Sequence, residues 1–147
     1  MTTQIKVKKL SEKAIIPCYA SEFAAGADLY ACLDEPITIK PHETALIPTG
    51  IAIEVITGFV GMIYARSGLA SKRGLAPANK VGVIDSDYRG EIMVSLHNHG
   101  SKPQTIEHGD RVAQFVILPY LTAKFVERKR LSSTKRGEGG FGSTGTK

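Results

Sequence analysis

Proline and glycine break this chain at intervals too short for long helices. Seven prolines and 15 glycines are spread over 147 residues, and the segments between them are short and β-rich. Thr44 to Val55 (TALIPTGIAIEV) is split by Pro48 and Gly50. Within it Ile51, Ile53 and Val55 alternate with Ala52 and Glu54, the period of two of a strand with one buried face. Thr57-Gly58 turns the chain into Phe59 to Tyr64, and further strands are expected at Val81 to Ile84, Glu91 to Leu96 and Arg111 to Leu118. The best helical candidate is Ser67 to Arg73, bounded by Gly74. Short strands with turns about every ten residues predict an all-β sandwich, jelly roll or distorted β-barrel with one short helix.

Apolar residues make up 42% of the chain, enough for a real core. No apolar run approaches the roughly 20 residues that cross a bilayer, and the start, MTTQIKVKKL, lacks the apolar stretch of a signal peptide. The expectation is a cytoplasmic protein with no membrane association. Cys18 and Cys32 fit neither a CxxC pair nor a zinc spacing and are expected as reduced thiols in or near the core. His97 and His99 share one face if they lie on a strand, but no further ligand is spaced to complete a metal site.

After Leu131 the composition changes. The stretch 132–147 is glycine-rich with one large apolar residue, Phe141, and cannot fold on itself. This divides the chain into a β domain, 1–131, and a C-terminal arm, 132–147, expected to be mobile in isolation. The whole net charge of +5 arises from Leu121 onward, where seven basic residues face Glu127 and Glu138. Such a tail suits an anionic partner, whether phosphate, nucleic acid or a membrane surface, or serves only as a solvated end.

Gly137 to Gly142 matches GxGxxG, but too little chain follows for the helix that a dinucleotide site requires, and Ser143 stands where a P-loop has lysine. The chemistry of the arm survives those failures. Glycine amides can wrap a phosphate, Arg136 adds a bidentate donor, Ser143 and Thr144 add hydroxyls, and Phe141 between glycines can lie on a nucleobase. Arg66 and Ser67 stand where a strand enters the short helix, a natural phosphate position with Ser67 as N-cap, or an ordinary helix start. Asp85-Ser86-Asp87 reads as a turn, and its two carboxylates near Tyr88 and Arg89 also fit a hydrolytic site, with Asp85 the better-placed base. Asp28 is either a hard oxygen donor near Mg²⁺ or a turn residue. Gln114, between Ala113 and Phe115, points either to a ligand or to water.

Taken together, these segments resemble the five motifs of the trimeric dUTPase family, in order and at similar spacing. They are AGADLYA from Ala25, RSGLA from Arg66, GVIDSDYRGEI from Gly82, GDRVAQ from Gly109 and RGEGGFGSTG from Arg136. The resemblance implies a jelly-roll subunit, a homotrimer with sites shared between subunits, and Mg²⁺-dependent hydrolysis of dUTP to dUMP and pyrophosphate. It makes Asp85 the carboxylate that activates water and places Tyr88 under the deoxyribose. Asn79, Gly82, Val83 and Ile84 become the hairpin that reads uracil. Arg66, Ser67, Gly68 and Gln114 become phosphate contacts, and Asp28 lies near the metal through water. Arg136, Phe141, Gly142, Ser143 and Thr144 form the closing arm. Ala65 departs from the proline with which the family's second motif usually begins. Two alternatives stand beside this reading. A dCTP deaminase of the same fold needs a glutamate for proton transfer at the base, where this chain has Asp85-Ser86-Asp87-Tyr88. A non-catalytic nucleic-acid-binding sandwich would rely on a tail with a single aromatic residue, so no stable nucleic-acid complex is expected.

Overall fold

The structure is a computed structural model and describes residues 3–143. Its elements run β1 (Lys6–Lys9), β2 (Cys18–Tyr19), β3 (Ala27–Tyr30), β4 (Ile37–Ile39), β5 (Thr44–Pro48), β6 (Ile51–Glu54), β7 (Phe59–Tyr64), α1 (Ser67–Arg73), β8 (Leu75–Pro77), β9 (Gly82–Ile84), β10 (Met93–Asn98), β11 (Gln104–Ile106) and β12 (Arg111–Pro119). All strand pairs are antiparallel. The largest sheet has the order β2-β3-β12-β7-β9; β5-β10-β8 forms a second, and β1-β6 and β11-β4 are two-stranded. The fold is thus all-β and of jelly-roll type, but these sheets do not close into a single barrel.

Alternation along the strands builds the core. On β10, Val94, Leu96 and Asn98 point inward, whereas Met93, Ser95 and His97 are half-buried on the other face. On β12 the register shifts between Arg111 and Ala113, and this irregularity lets Val112 and Ala113 both face inward before alternation resumes with Phe115. Phe115 lies over Gly61, where an added Cβ would sit 2.6 Å from its Cε2. Leu29, Ile47, Ile51, Leu75, Leu96 and Ile106 are completely or almost completely buried. Asn98 is buried among them without an energetic penalty of note: its amide donates to the Ile39 and Lys102 carbonyls at 2.9 and 2.8 Å and accepts from Gly100 N at 2.9 Å.

The helix has the predicted limits. Gly74 takes the left-handed conformation (φ 66°), and its N–H caps the Ala70 and Leu69 carbonyls, while Lys72 and Arg73 occupy the last turn. Its start differs from expectation. Arg66, in extended conformation, is the N-cap, and no side chain caps the first turn. Ser67 is therefore the first helical residue, and its hydroxyl is not consumed in capping. Strand β10 begins two residues later than expected because Ile92 bonds elsewhere: its N–H donates to Ile51 O at 2.8 Å and its carbonyl accepts from Thr49 N at 3.3 Å. Both cysteines are free, but Cys18 is exposed on β2 rather than near the core. Its Sγ lies 2.8 Å from the Tyr30 hydroxyl, and this hydrogen bond, aided by burial, pushes the Tyr30 phenol up to about 12.

Regular structure ends at Pro119. Every residue from Leu118 to Glu138 is exposed, including the large apolar side chains of Leu121, Phe125 and Leu131. Among the described residues no helix is long and apolar enough to cross a membrane.

Candidate active site

The pairing of β3, β12 and β7 sets three polar side chains in one row. Gln114 lies opposite Asp28 on one side and Tyr64 on the other. Immediately beyond Tyr64 the chain passes through Ala65 and Arg66 into α1. The result is a cleft of ≈ 590 Å³ lined by Asp28, Tyr64, Arg66, Ser67, Gly68 and Gln114, with Gly26 and three alanines on its rim. Four of the five residues expected at the phosphates and metal from the first, second and fourth motifs are polar or charged, and all five line this one cleft.

Asp28 is the electrostatic centre of the cleft. It is 6% exposed. Its Oδ1 accepts from Arg66 Nε at 2.7 Å, and its Oδ2 accepts a longer bond from Arg111 Nη1 at 3.4 Å. A buried carboxylate needs such partners, and two guanidinium groups against one carboxylate leave the cleft with excess positive charge. Because Arg66 is held through Nε, its two terminal nitrogens remain available to a bound anion. Gln114 is also engaged. Its Nε2 donates to the Ala65 carbonyl at 2.8 Å, which fixes the entry to α1 at the position where the family usually has proline. The Gln114 side chain lies against Gly26, where a Cβ would sit 2.5 Å from Oε1. The expected phosphate contact is thus also a brace for the start of α1. The backbone N–H groups of Ser67 and Gly68 have no partner within the helix, and both residues line the cleft.

The third motif lies elsewhere on the surface. Strands β8 and β9 are joined by a tight turn in which Lys80 has φ 65°, but they do not pair with each other. β8 pairs with β10 and β9 with β7. The expected hairpin is therefore a connection between two sheets. β9 is an edge strand, so those backbone groups of Gly82 to Ile84 that point away from β7 have no strand partner and are open to a ligand. Asn79, Gly82, Val83 and Ile84 line one depression of ≈ 230 Å³ with Met93 and Ser95. Val83, Ile84, Asp85, Tyr88 and Glu91 line an adjoining one of ≈ 340 Å³. Asp85 follows β9 and opens a turn closed by Tyr88 N donating to Asp85 O at 3.2 Å. The Asp85 side chain is exposed and makes no hydrogen bond or ion pair among the described residues.

These depressions and the Asp28 cleft share no lining residue. Ile84 lies opposite Gly61, and Gln114 opposite Tyr64. The Cα atom of Ile84, the residue before Asp85, is therefore ~10 Å along the sheet and ~10 Å across it from that of Gln114, roughly 14 Å in all. Among the described residues the arm lines neither site of its own chain. Arg136 Nε donates to Gly139 O at 2.7 Å and Ser143 N to Gly140 O at 3.0 Å, so Arg136, Gly142 and Ser143 lie in local turns. Phe141 is fully exposed with φ 48°. Thr144 lies outside the described residues.

Sequence reasoning missed Arg111, which pairs with Asp28 from within the fourth motif, and Glu91, whose Oε1 accepts from Gly50 N at 2.8 Å. Nothing in their spacing marks either pairing. His97 and His99 do share a face, with ring centroids 4.4 Å apart. Among the described residues no group of three or more His, Cys, Asp or Glu is placed to hold a metal.

A family model described as dUTPase matches residues 12–145. The chain is 51% identical over 144 residues to the deoxyuridine 5'-triphosphate nucleotidohydrolase of a Hydrogenobaculum species, covering 98% of this chain and 99% of that protein. It is 47% identical to the protein of the same name from Acinetobacter baylyi, with both chains fully covered. Among solved structures, a mutant dUTPase of Staphylococcus bacteriophage 80alpha with dUpNHpp superposes at a TM-score of 0.85, with 28% identity over 98% of this chain and 99% of that one. A mutant dUTPase from phage phi11 of S. aureus, described with a structural Mg(II) ion, gives 0.80 at 26% identity over 89% of this chain and 100% of that one. The five motifs, the all-β fold and these likenesses agree: the chain belongs to the dUTPase family.

Proposed function

We propose that this chain hydrolyses dUTP to dUMP and pyrophosphate by in-line attack of water on the α-phosphorus, at sites assembled from three copies of the chain. This activity limits uracil incorporation into DNA and supplies dUMP for thymidylate synthesis, in the cytoplasm. The observation that carries the shared site is that the Asp28 cleft and the depressions beside Asp85 share no lining residue within one chain. A neighbouring copy can bring its Asp85 to the Asp28 cleft and complete the site. The described part of the arm, 132–143, supports the same reading, because its Arg136 and backbone donors bond only within the arm and no residue of it lines the Asp28 cleft or the depressions beside Asp85.

In the assembled site each residue has a distinct task. Asp85 takes the proton of the attacking water. The open edge of β9 and Asn79 read the uracil carbonyl and N3–H, and cytosine's reversed pattern would leave those backbone groups unpaired. Tyr88 packs under the deoxyribose and leaves no room for a 2′-OH. Arg66, the Ser67 and Gly68 amides and Gln114 bind phosphate oxygens and stabilise the charge that develops on them. Arg136, Phe141, Gly142, Ser143 and Thr144 close over the triphosphate and exclude bulk water.

The donor set of the cleft fits a hydrated Mg²⁺ that arrives with the triphosphate, not a resident ion. Mg²⁺ commonly keeps several waters and binds through one or two carboxylates and substrate phosphates. The cleft offers one carboxylate, Asp28, and both of its oxygens are held by arginines, so Asp28 would meet such an ion through water. Bound there, Mg²⁺ supplies neutralisation of phosphate charge.

The test is product analysis over dUTP, UTP, dCTP and dTTP with Mg²⁺. Pyrophosphate and dUMP from dUTP alone is the expected result. Ammonia from dCTP, or equal turnover of all four, overturns the assignment.

A further inference from the structure

Tyr88 owes its position to its neighbour two residues on. The ring is 43% exposed, so packing does not lock it. Two local features place it instead. Its hydroxyl donates to Glu91 O at 2.9 Å, closing a short loop over Gly90. The ring also occupies the space where a side chain at position 90 would begin. A Cβ at Gly90 would lie 2.6 Å from Tyr88 Cζ and 2.9 Å from Cε2, and closer still to the hydroxyl oxygen. Carbon atoms in ordinary contact stand about 3.5–4.0 Å apart, so ring and Cβ cannot coexist as placed.

The demand for glycine here is one of space and not of backbone freedom. Gly90 is absent from the glycines with positive φ, which include Gly50, Gly58, Gly74 and Gly109. An L-residue at position 90 meets no backbone penalty. The turn itself is braced independently, since Arg89 Nη1 donates to the carbonyls of Ser86 at 2.7 Å and Tyr88 at 3.0 Å. A methyl group at position 90 therefore displaces the Tyr88 ring and leaves the main chain in place.

We infer that Gly90 is a specificity-determining position that acts through Tyr88: by having no side chain it lets the ring fold back over position 90, and so sets how much room the sugar edge leaves for a 2′-OH. This inference rests on the reading that Tyr88 packs under the deoxyribose. Gly90 touches no substrate and is a positioning residue.

The experiment is a double-mutant cycle read as the ratio of kcat/KM for dUTP to that for UTP. The proteins are the unaltered chain, Gly90→Ala, Tyr88→Ala and the double variant, and neighbouring positions are expected to couple. Gly90→Ala should lower the ratio about tenfold, the scale on which one misplaced methyl group alters discrimination. Tyr88→Ala should lower it at least as far. Adding Gly90→Ala to Tyr88→Ala should change it less than about twofold, because no ring remains to displace. If Gly90→Ala keeps the ratio while Tyr88→Ala lowers it, Tyr88 reads the sugar unaided and the inference fails. An unchanged ratio in Tyr88→Ala overturns instead the reading on which it rests. Should Gly90→Ala alone fail to fold, recovery of folding in the double variant supports the clash, and no recovery refutes it.

Discussion

Replacing Asp28 by asparagine removes one charge and almost no volume, so its consequences follow from the ion pairs alone. The carboxylate is buried, but its partners are not equally so: the Arg66 side chain is 26% exposed and that of Arg111 50%. Exposed ion pairs contribute about 0–1 kcal/mol, and breaking a buried pair costs about 3–5 kcal/mol. This triad lies between those limits. The 2.7 Å bond to Arg66 is short and charge-assisted, and the 3.4 Å bond to Arg111 is weak. Asparagine can accept from one arginine through Oδ1, but its amide hydrogens then face the other. The expected cost is about 2 kcal/mol, which for a domain of this size lowers Tm by about 4–8 °C. Arg66 also loses the partner that aims its terminal nitrogens into the cleft, so a non-hydrolysable dUTP analogue should bind more weakly with or without Mg²⁺. Thermal unfolding and analogue titration in both conditions read the two effects. An unchanged Tm together with weaker binding only in the presence of Mg²⁺ would mean that Asp28 serves the metal and does not organise Arg66.

Three further outcomes are expected. Asp85→Asn should lower kcat by about 10²–10⁴ while analogue binding persists, measured by pyrophosphate release and titration; near-normal turnover removes Asp85 from its role. Deleting 132–147 should leave Tm nearly unchanged, because the described part of that stretch is almost entirely exposed, yet abolish most turnover. Loss of solvation, then repulsion from His97, Lys80 and His42, holds the His99 imidazole below its ordinary value of 6.5. The fold therefore favours the neutral ring. The corresponding stability is present above the unfolded value and declines as pH falls through it toward the folded one, and His99→Gln should flatten a Tm-versus-pH curve in that window.

The parts of the fold written in local chemistry were readable from the sequence. Helix α1 ends where Gly74 can adopt a left-handed conformation, and β7 and β12 follow long alternating or apolar runs between turn residues. The parts that depend on distant partners were not. β1, Lys-Val-Lys-Lys, has one apolar residue and is a strand because it pairs with β6. β3 follows Gly26 and carries Asp28, both turn formers, and the aspartate is buried with partners, Arg66 and Arg111, 38 and 83 residues away in the chain. The same division holds at the site. Ser67 looked like a cap because serine caps helices well, yet Arg66 holds that position with its side chain turned to Asp28. Gln114 could be read as outward-facing, but its bond to Ala65 depends on the register of β12 against β7.

The central claim, a site completed by other copies of the chain, is tested most directly by mixing two inactive proteins. One carries Asp85→Asn with its arm intact; the other has Asp85 but lacks 132–147. The two are unfolded together, refolded, and separated so that mixed assemblies are verified by mass. If the Asp85 of one chain works under the arm of another, mixed assemblies recover dUTP hydrolysis that neither parent shows. If each site is built within a single chain, no chain in the mixture has both parts, and verified mixed assemblies that release no pyrophosphate contradict the account.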